Sequence, residues 1–195
     1  MLVVGAAQLS QLESTDLSKL RARAVIGGGA SGFTPFTDLY RDAVTDPADV
    51  CDDDPFVIVP TAAVAATPRG ALLTYRNVMV AGHAMIMSLE LSAQDRHLAA
   101  LPLFHITGLG LSVCMTLVGG VNVVMESFDP ARASQLIDEH HVTLLADFPP
   151  VLAMLLEARA KTGAGWQSLK YVVGLDAPDT IKRLYAETGA KFWTG

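Results

Sequence analysis

The chain has 195 residues, enough for one full domain with its own core, and its formal charge of -6 without a basic block argues against nucleic acid as the main partner. Hydrophobic residues make up 51% and charged residues 17%, yet Arg, Asp, Glu or His interrupts every apolar run before the ~18 residues that a membrane span needs. Cys51 and Cys114 match no metal or redox spacing, and Met1-Leu-Val-Val-Gly5 lacks the basic region of a signal peptide, so a cytoplasmic protein with reduced thiols is expected. The apolar surplus has two readings: a densely buried α/β sheet, or apolar faces covered by something outside these residues, a second copy of the chain included.

Apolar runs alternate with helical patterns along most of the chain. Strands are predicted at 1–4 and 24–26, with a helical Leu and charge pattern over 7–20 between them and a flexible turn at 27–32. A short helix is predicted at 38–44 and an acidic loop at 46–55. Strands at 56–60 and 71–74 precede a helix at 77–89 and a buried strand at 96–101. Helices at 105–117, 129–140, 149–161 and 178–188 then alternate with strands at 121–125, 142–146, 171–173 and 192–193. Asp129 followed by Pro130 is a strong helix start, with the N-cap acceptor and a proline at the first helical position. Short strands alternating with ten-residue helices imply βαβ crossovers, hence an α/β fold with a mostly parallel sheet layered between helices on both faces.

The most informative stretch runs from Phe56 to Asn77. It reads as an apolar strand, the loop Thr61-Ala-Ala-Val-Ala-Ala-Thr67, then Pro68-Arg69-Gly70 and a second strand leading into a helix. Tiny residues let backbone N–H groups approach an anion closely, which is the layout of a phosphate-gripping loop. The glycines and hydroxyls that normally line such a loop are nearly all replaced by alanine.

Taken with Leu101-Pro-Leu-Phe-His-Ile-Thr-Gly108, the stretch resembles the AMP-forming acyl-adenylate ligase superfamily: acyl-CoA synthetases, fatty-acid–AMP ligases, firefly luciferase and nonribosomal adenylation domains. That family carries Thr-Ser-Gly-Thr-Thr-Gly-x-Pro-Lys-Gly, then a strand ending Leu-Thr-His-x-Asn, then a Pro-Leu-Phe-His-x-x-Gly turn. Pro68-Arg69-Gly70, Leu73-Thr74-Tyr75-Arg76-Asn77 and the turn at His105 fall in the same order. Phe148-Pro149-Pro150 and Gly174-Leu175-Asp176-Ala177-Pro178 resemble later segments of the same family.

The resemblance implies a fold similar to the flavodoxin-like subdomains of acyl-CoA synthetases, and ATP-dependent activation of a carboxylic acid, in particular a fatty acid, followed by transfer to coenzyme A. It implies ATP, Mg2+ and coenzyme A for the whole ligase, with none certain for these residues alone and no metal ligand assigned among them. Thr61, Thr67, Arg69 and Gly70 would face the phosphates, Arg69 in place of the usual lysine but still able to fork onto phosphate. Loss of two hydroxyl donors, each bond worth roughly 1.5–3 kcal/mol, would weaken phosphate binding by orders of magnitude unless other contacts compensate. The loop is therefore either a compensated variant in a working ligase or a relic in a non-catalytic binding module. His105 would stand by the substrate carboxylate; without the resemblance it reads as a histidine capping a helix start. Gly174 and Asp176 would lie near the adenine or acyl group, Asp176 departing from the usual alanine. The chain is expected to be a fragment of the large N-terminal AMP-binding domain, with 1–55 an edge portion, 56–195 a core subdomain and the C-terminal domain absent. It lacks the Tyr-Gly-x-Thr-Glu magnesium motif, the ribose aspartate and the catalytic lysine, so these residues alone are expected not to complete adenylation. Its partners would be a small carboxylic acid and the remainder of the ligase, with neither nucleic acid nor a transmembrane segment.

Four other features have ordinary readings. Gly27-Gly28-Gly29-Ala30-Ser31-Gly32 opens no convincing helix and reads as a surface turn. His140-His141 complements a helix dipole. Met79, Met85 and Met87 read as core filler. Asp52-Asp53-Asp54 reads as a solvated loop. No Gly-x-Ser-x-Gly elbow suggests a hydrolase.

Overall fold

The computed structural model describes residues 1–40, 48–61, 67 and 69–194. The chain divides into two compact units, Met1–Asp49 and Val50–Gly195, the boundary falling ahead of the expected division at residue 55. The first unit is a three-stranded parallel sheet of β1 (Leu2–Gly5), β2 (Arg23–Ile26) and β3 (Thr34–Pro35), with β2 in the centre. The helix expected over 7–20 is instead a 3-10 helix at Ala6–Leu12 followed by turns. That segment buries no residue, and Asp16 accepts the Ser18 N–H at 2.9 Å, a local bond that competes with helix continuation. The helix expected at 38–44 begins as a 3-10 turn at Phe36–Leu39; its later part lies outside the described residues.

The second unit opens with β4 (Pro55–Pro60) and β5 (Gly70–Thr74), which pair antiparallel with Ile58 opposite Leu72 and Pro60 opposite Gly70. The connection between them is too short for a parallel crossover, so this pair departs from the parallel pattern. Helix α1 (Tyr75–Ser88) follows directly. Thr74 caps it reciprocally: its hydroxyl accepts the Asn77 N–H at 3.3 Å, and the Asn77 side chain accepts the Thr74 N–H at 3.0 Å.

Then come β6 (Arg96–Ala99), α2 (Ile106–Val118), β7 (Val121–Val124), α3 (Pro130–Glu139), β8 (Leu144–Asp147), α4 (Val151–Thr162), β9 (Tyr171–Gly174), α5 (Pro178–Thr188) and β10 (Lys191–Trp193). Asp129 caps α3 as expected, accepting the Arg132 N–H at 2.6 Å. The five strands are all parallel, in the order β10-β9-β8-β6-β7. The chain runs from β6 to β7 in one direction and from β8 to β10 in the other. Right-handed crossovers in opposite directions place their helices on opposite faces.

Two cores record this. Leu98, Leu145 and Val172 pack with Ile137, Leu152, Leu155, Leu156, Trp166 and Leu184. Leu144, Ala146 and Val173 pack with Leu89, Leu111, Cys114 and Met115. Consecutive residues of β8 and β9 thus serve opposite faces, which is why these strands are apolar without alternation. Asp95, buried at the amino end of the sheet, is anchored by Lys170 Nζ at 2.8 Å and by the Ser92 N–H at 2.9 Å. Burial works against its charge, and these partners nevertheless hold it below the usual carboxylate range.

Candidate functional site

In an open parallel sheet ligands bind beyond the carboxyl ends of the strands, where the strand order reverses. Here the reversal lies between β6 and β8, and a cavity of about 610 Å³ opens at that end. Residues of α1 and α2 form two of its walls, Gly82, Met85, Gly110 and Cys114 among them. Asp147, Phe148, Val173, Gly174, Leu175 and Trp193 close it from the strand ends. The lining is mostly aliphatic or small, with Asn77, Thr107, Asp147 and Thr194 as its polar members. Phe104, Ile106, Phe148 and Leu175 are exposed large apolar side chains, and the last three border this cavity.

Gly174 ends β9 with φ of +155°, a conformation that favours glycine, and a Cβ there would run into the Asp147 backbone. The ends of β8 and β9 approach closely because of it. Asp147 is only 1% exposed, and its Oδ1 accepts the Leu152 N–H at 2.9 Å, satisfying one of the free amides at the start of α4. Burial, reinforced by the charge and hydrogen bonding of Asp176, pushes the Asp147 carboxyl up to about 7. His97 is another buried titratable group. Its Nδ1 lies 3.0 Å from Asn122 Oδ1, and burial pulls its pKa down to about 4, so it is a neutral core histidine at pH 7.

The residues singled out from sequence fall into two groups. Gly174 lines the cavity, and Asp176 sits beside Asp147 behind its wall. His105 immediately precedes Ile106 and Thr107, which line the cavity; it is the N-cap of α2, but its exposed imidazole makes no capping bond. Thr61, Arg69 and Gly70 sit at the loop end of the β4–β5 hairpin, whose second strand continues through Leu73 into the cavity wall. The Thr61 hydroxyl accepts the Arg69 N–H at 3.1 Å, and the Thr61 N–H donates to the Arg69 carbonyl at 2.7 Å. Gly70 has no room for a side chain against Ile58. Thr67 is exposed, and residues 62–66 and 68 lie outside the described residues.

Two ordinary readings need correction. Met79 and Met87 are exposed at 38% and 78%, so only Met85 helps fill a core. The aspartates at 52–54 are not merely solvated: Asp52 and Asp53 pair with Arg76 at 3.2 and 3.0 Å, and Asp54 accepts the Cys51 N–H at 2.7 Å. Sequence reasoning missed Asp147 and Trp193, and it met Asn77 and Thr107 only as motif members; Gly110 was read as permitting close packing of substrate or helix. A signal existed for Asp147, a charged residue terminating an apolar strand just ahead of Phe148-Pro149-Pro150.

The geometry defines an α/β domain with an apolar pocket at the switch point of its sheet and an exposed cationic hairpin end. The pattern of the AMP-binding enzyme family matches residues 3–192, and the chain belongs to that family. It is similar to a feruloyl-CoA synthase from Amycolatopsis, 27% identical over 73% of this chain and 30% of that one. A 2-succinylbenzoate–CoA ligase from Geobacillus kaustophilus is 34% identical over 71% of this chain and 27% of its own. A solved structure from Rhodopseudomonas palustris, provisionally assigned as a long-chain-fatty-acid CoA ligase, superposes with a TM-score of 0.89 at 36% identity, covering 98% of this chain and 49% of that one. The chain thus spans about half or less of the length of these relatives. No helix among the described residues is long and apolar enough to cross a membrane.

Proposed function

We propose that the chain supplies the acid-binding cavity and the phosphate-facing hairpin of an AMP-forming acid–CoA ligase. Such an enzyme joins a carboxylate to the α-phosphate of ATP, releases pyrophosphate, and passes the acyl group to coenzyme A. The observation that carries this reading is the apolar cavity at the switch point of a family-type sheet. Its aliphatic lining favours an acid with an alkyl body, such as a fatty acid, in line with the long-chain-fatty-acid ligase named above, whereas the other two relatives are named for aromatic acids. Arg69 is exposed and in no ion pair among the described residues, which fits a guanidinium kept for a phosphate. Thr61 retains a hydroxyl proton for an anion while its oxygen accepts from Arg69. ATP and Mg2+ would be the nucleotide partners of the ligase, and coenzyme A its thiol acceptor. Catalysis there rests on positioning and on neutralising phosphate charge.

Gly110 offers a clean test, because a Cβ placed on it meets nothing within 4 Å although the residue lines the cavity. Gly110→Met is expected to weaken binding of long straight-chain acids by about tenfold while leaving short ones unchanged. Calorimetric titration of the chain with an acid series reads this out. The melting temperature should hold or rise, since glycine is poor inside a helix. Unchanged binding at every chain length would place the acid elsewhere.

A second reading, a binding module that no longer uses ATP, is favoured by the alanines at 62, 63, 65 and 66. It predicts acid binding without any nucleotide binding.

A further inference from the structure

Asp147 and Asp176 each have one oxygen accounted for. Asp147 Oδ1 accepts from Leu152 N–H at 2.9 Å, and Asp176 Oδ1 accepts its neighbour's Ala177 N–H at 2.6 Å. The second oxygen of each is buried and finds no donor. Asp176 acts on Asp147 through both charge and hydrogen bonding, so the two carboxyls are neighbours. Neither enters an ion pair among the described residues. Two adjacent carboxylates, with no cation and their second oxygens shielded from water, would repel strongly if both were ionised. One proton taken from bulk water and held between them gives both orphan oxygens a partner and removes one charge.

We infer that Asp147 and Asp176 share a single proton, and that this carboxyl pair is a positioning device holding the segment Gly174-Leu175-Asp176-Ala177 against the end of β8. The backbone supports the assignment independently: Gly174 packs directly on the Asp147 backbone, so the two strand ends are already in contact there. Gly174 and Leu175 form cavity wall, and Trp193, registered opposite Val173, stands next to them. Loss of the shared proton would push the segment off β8 and change the cavity. That this wall faces a ligand rests on the proposed function; the proton sharing does not.

The surrounding charges leave Asp176 as the partner that matters. Helix α2 carries no charged residue, and Glu157, Arg159 and Lys161 lie in the later turns of α4, away from its Asp147-capped start. On α1, Arg76 is paired with Asp52 and Asp53, and His83 bonds the Met79 carbonyl. Asp179 at the start of α5 is exposed and paired with Lys182. On β6, His97 is bonded to Asn122 and Arg96 lies at the amino end of the strand; Lys191 occupies the same end of β10.

The test is a carboxyl ¹³C titration of the chain labelled with 5-fluorotryptophan, comparing wild type with Asp176→Asn. The pair is expected to titrate in two well-separated steps, the upper one near neutral pH. The ¹⁹F signal of Trp193, resolved from that of Trp166, is expected to move with the upper step. In Asp176→Asn that step should fall by more than about one pH unit, because an amide can donate to the remaining carboxylate, and the Trp193 shift should follow it. Should that variant fail to fold, Asp147→Asn must abolish the upper step and leave Trp193 insensitive to neutral pH. A single step below about pH 5 would overturn the shared proton, and an upper step that leaves Trp193 unmoved would overturn the positioning role. Neither result bears on acid binding, which is read separately.

Discussion

Replacing Trp166 with alanine is expected to lower the stability of the Val50–Gly195 unit by about 3–5 kcal/mol, the largest effect of any single substitution considered. The indole is fully buried among Leu136, Ile137, Leu155 and the rest of that core. Its Nε1–H donates to the Ser134 carbonyl and hydroxyl at 3.1 and 3.2 Å, so truncation leaves a cavity and removes both bonds, the Ser134 hydroxyl keeping only its Thr162 partner at 3.2 Å. The backbone is fixed just as firmly: the N–H groups of Gly165 and Trp166 both donate to the Asp138 carboxylate at 2.7 Å, and Trp166 sits at φ +54°. Trp166→Phe keeps a six-membered ring in the core and loses the five-membered ring with its Nε1 donor, so a smaller loss of about 1–3 kcal/mol is expected. Urea denaturation followed by far-UV circular dichroism measures both. A Trp166→Ala protein as stable as its parent would show that this core is not what holds α3 and α4 to the sheet.

Gly174→Ala is expected to remove about 2–4 kcal/mol and to deform the cavity at the same time. The added Cβ meets the Asp147 backbone from a conformation that an L-residue rarely adopts. Backbone cannot yield as a flexible side chain can, so β8 and β9 must separate at their carboxyl ends. Denaturation gives the stability loss, and acid titration gives the accompanying loss of binding. An equal change at the exposed, open Gly189 that caps the end of α5 would show that the strain, not the strand contact, dominates.

Much of the fold was legible because α/β crossovers write themselves twice, as apolar strands and as capped helices. Asp129-Pro130 announced α3, and the continuous apolar runs of β8 and β9 announced strands buried on both sides. The failures have local causes. The 7–20 segment carries a helical spacing but has no face to bury and an aspartate that bonds its own turn. The antiparallel pairing of β4 and β5 follows from the shortness of their connection, which a strand count ignores. At the site, the motif residues Gly174 and His105 were visible in sequence. Asp147 left only a weak signal, a charge ending an apolar strand, because what brings it to Gly174 is the pairing of β8 with β9.

If this chain presents an alkyl-acid cavity beside a phosphate-binding hairpin, one acyl-adenylate should engage both. Calorimetric titration with a non-hydrolysable acyl-adenylate analogue, on wild type, Arg69→Ala and Gly110→Met, tests it most directly. Binding by wild type is expected, with a weakening of about tenfold or more in Arg69→Ala and rejection of long-chain but not short-chain analogues by Gly110→Met. Wild-type binding that is indifferent to both substitutions, or no binding of either the analogue or a free acid, would contradict it.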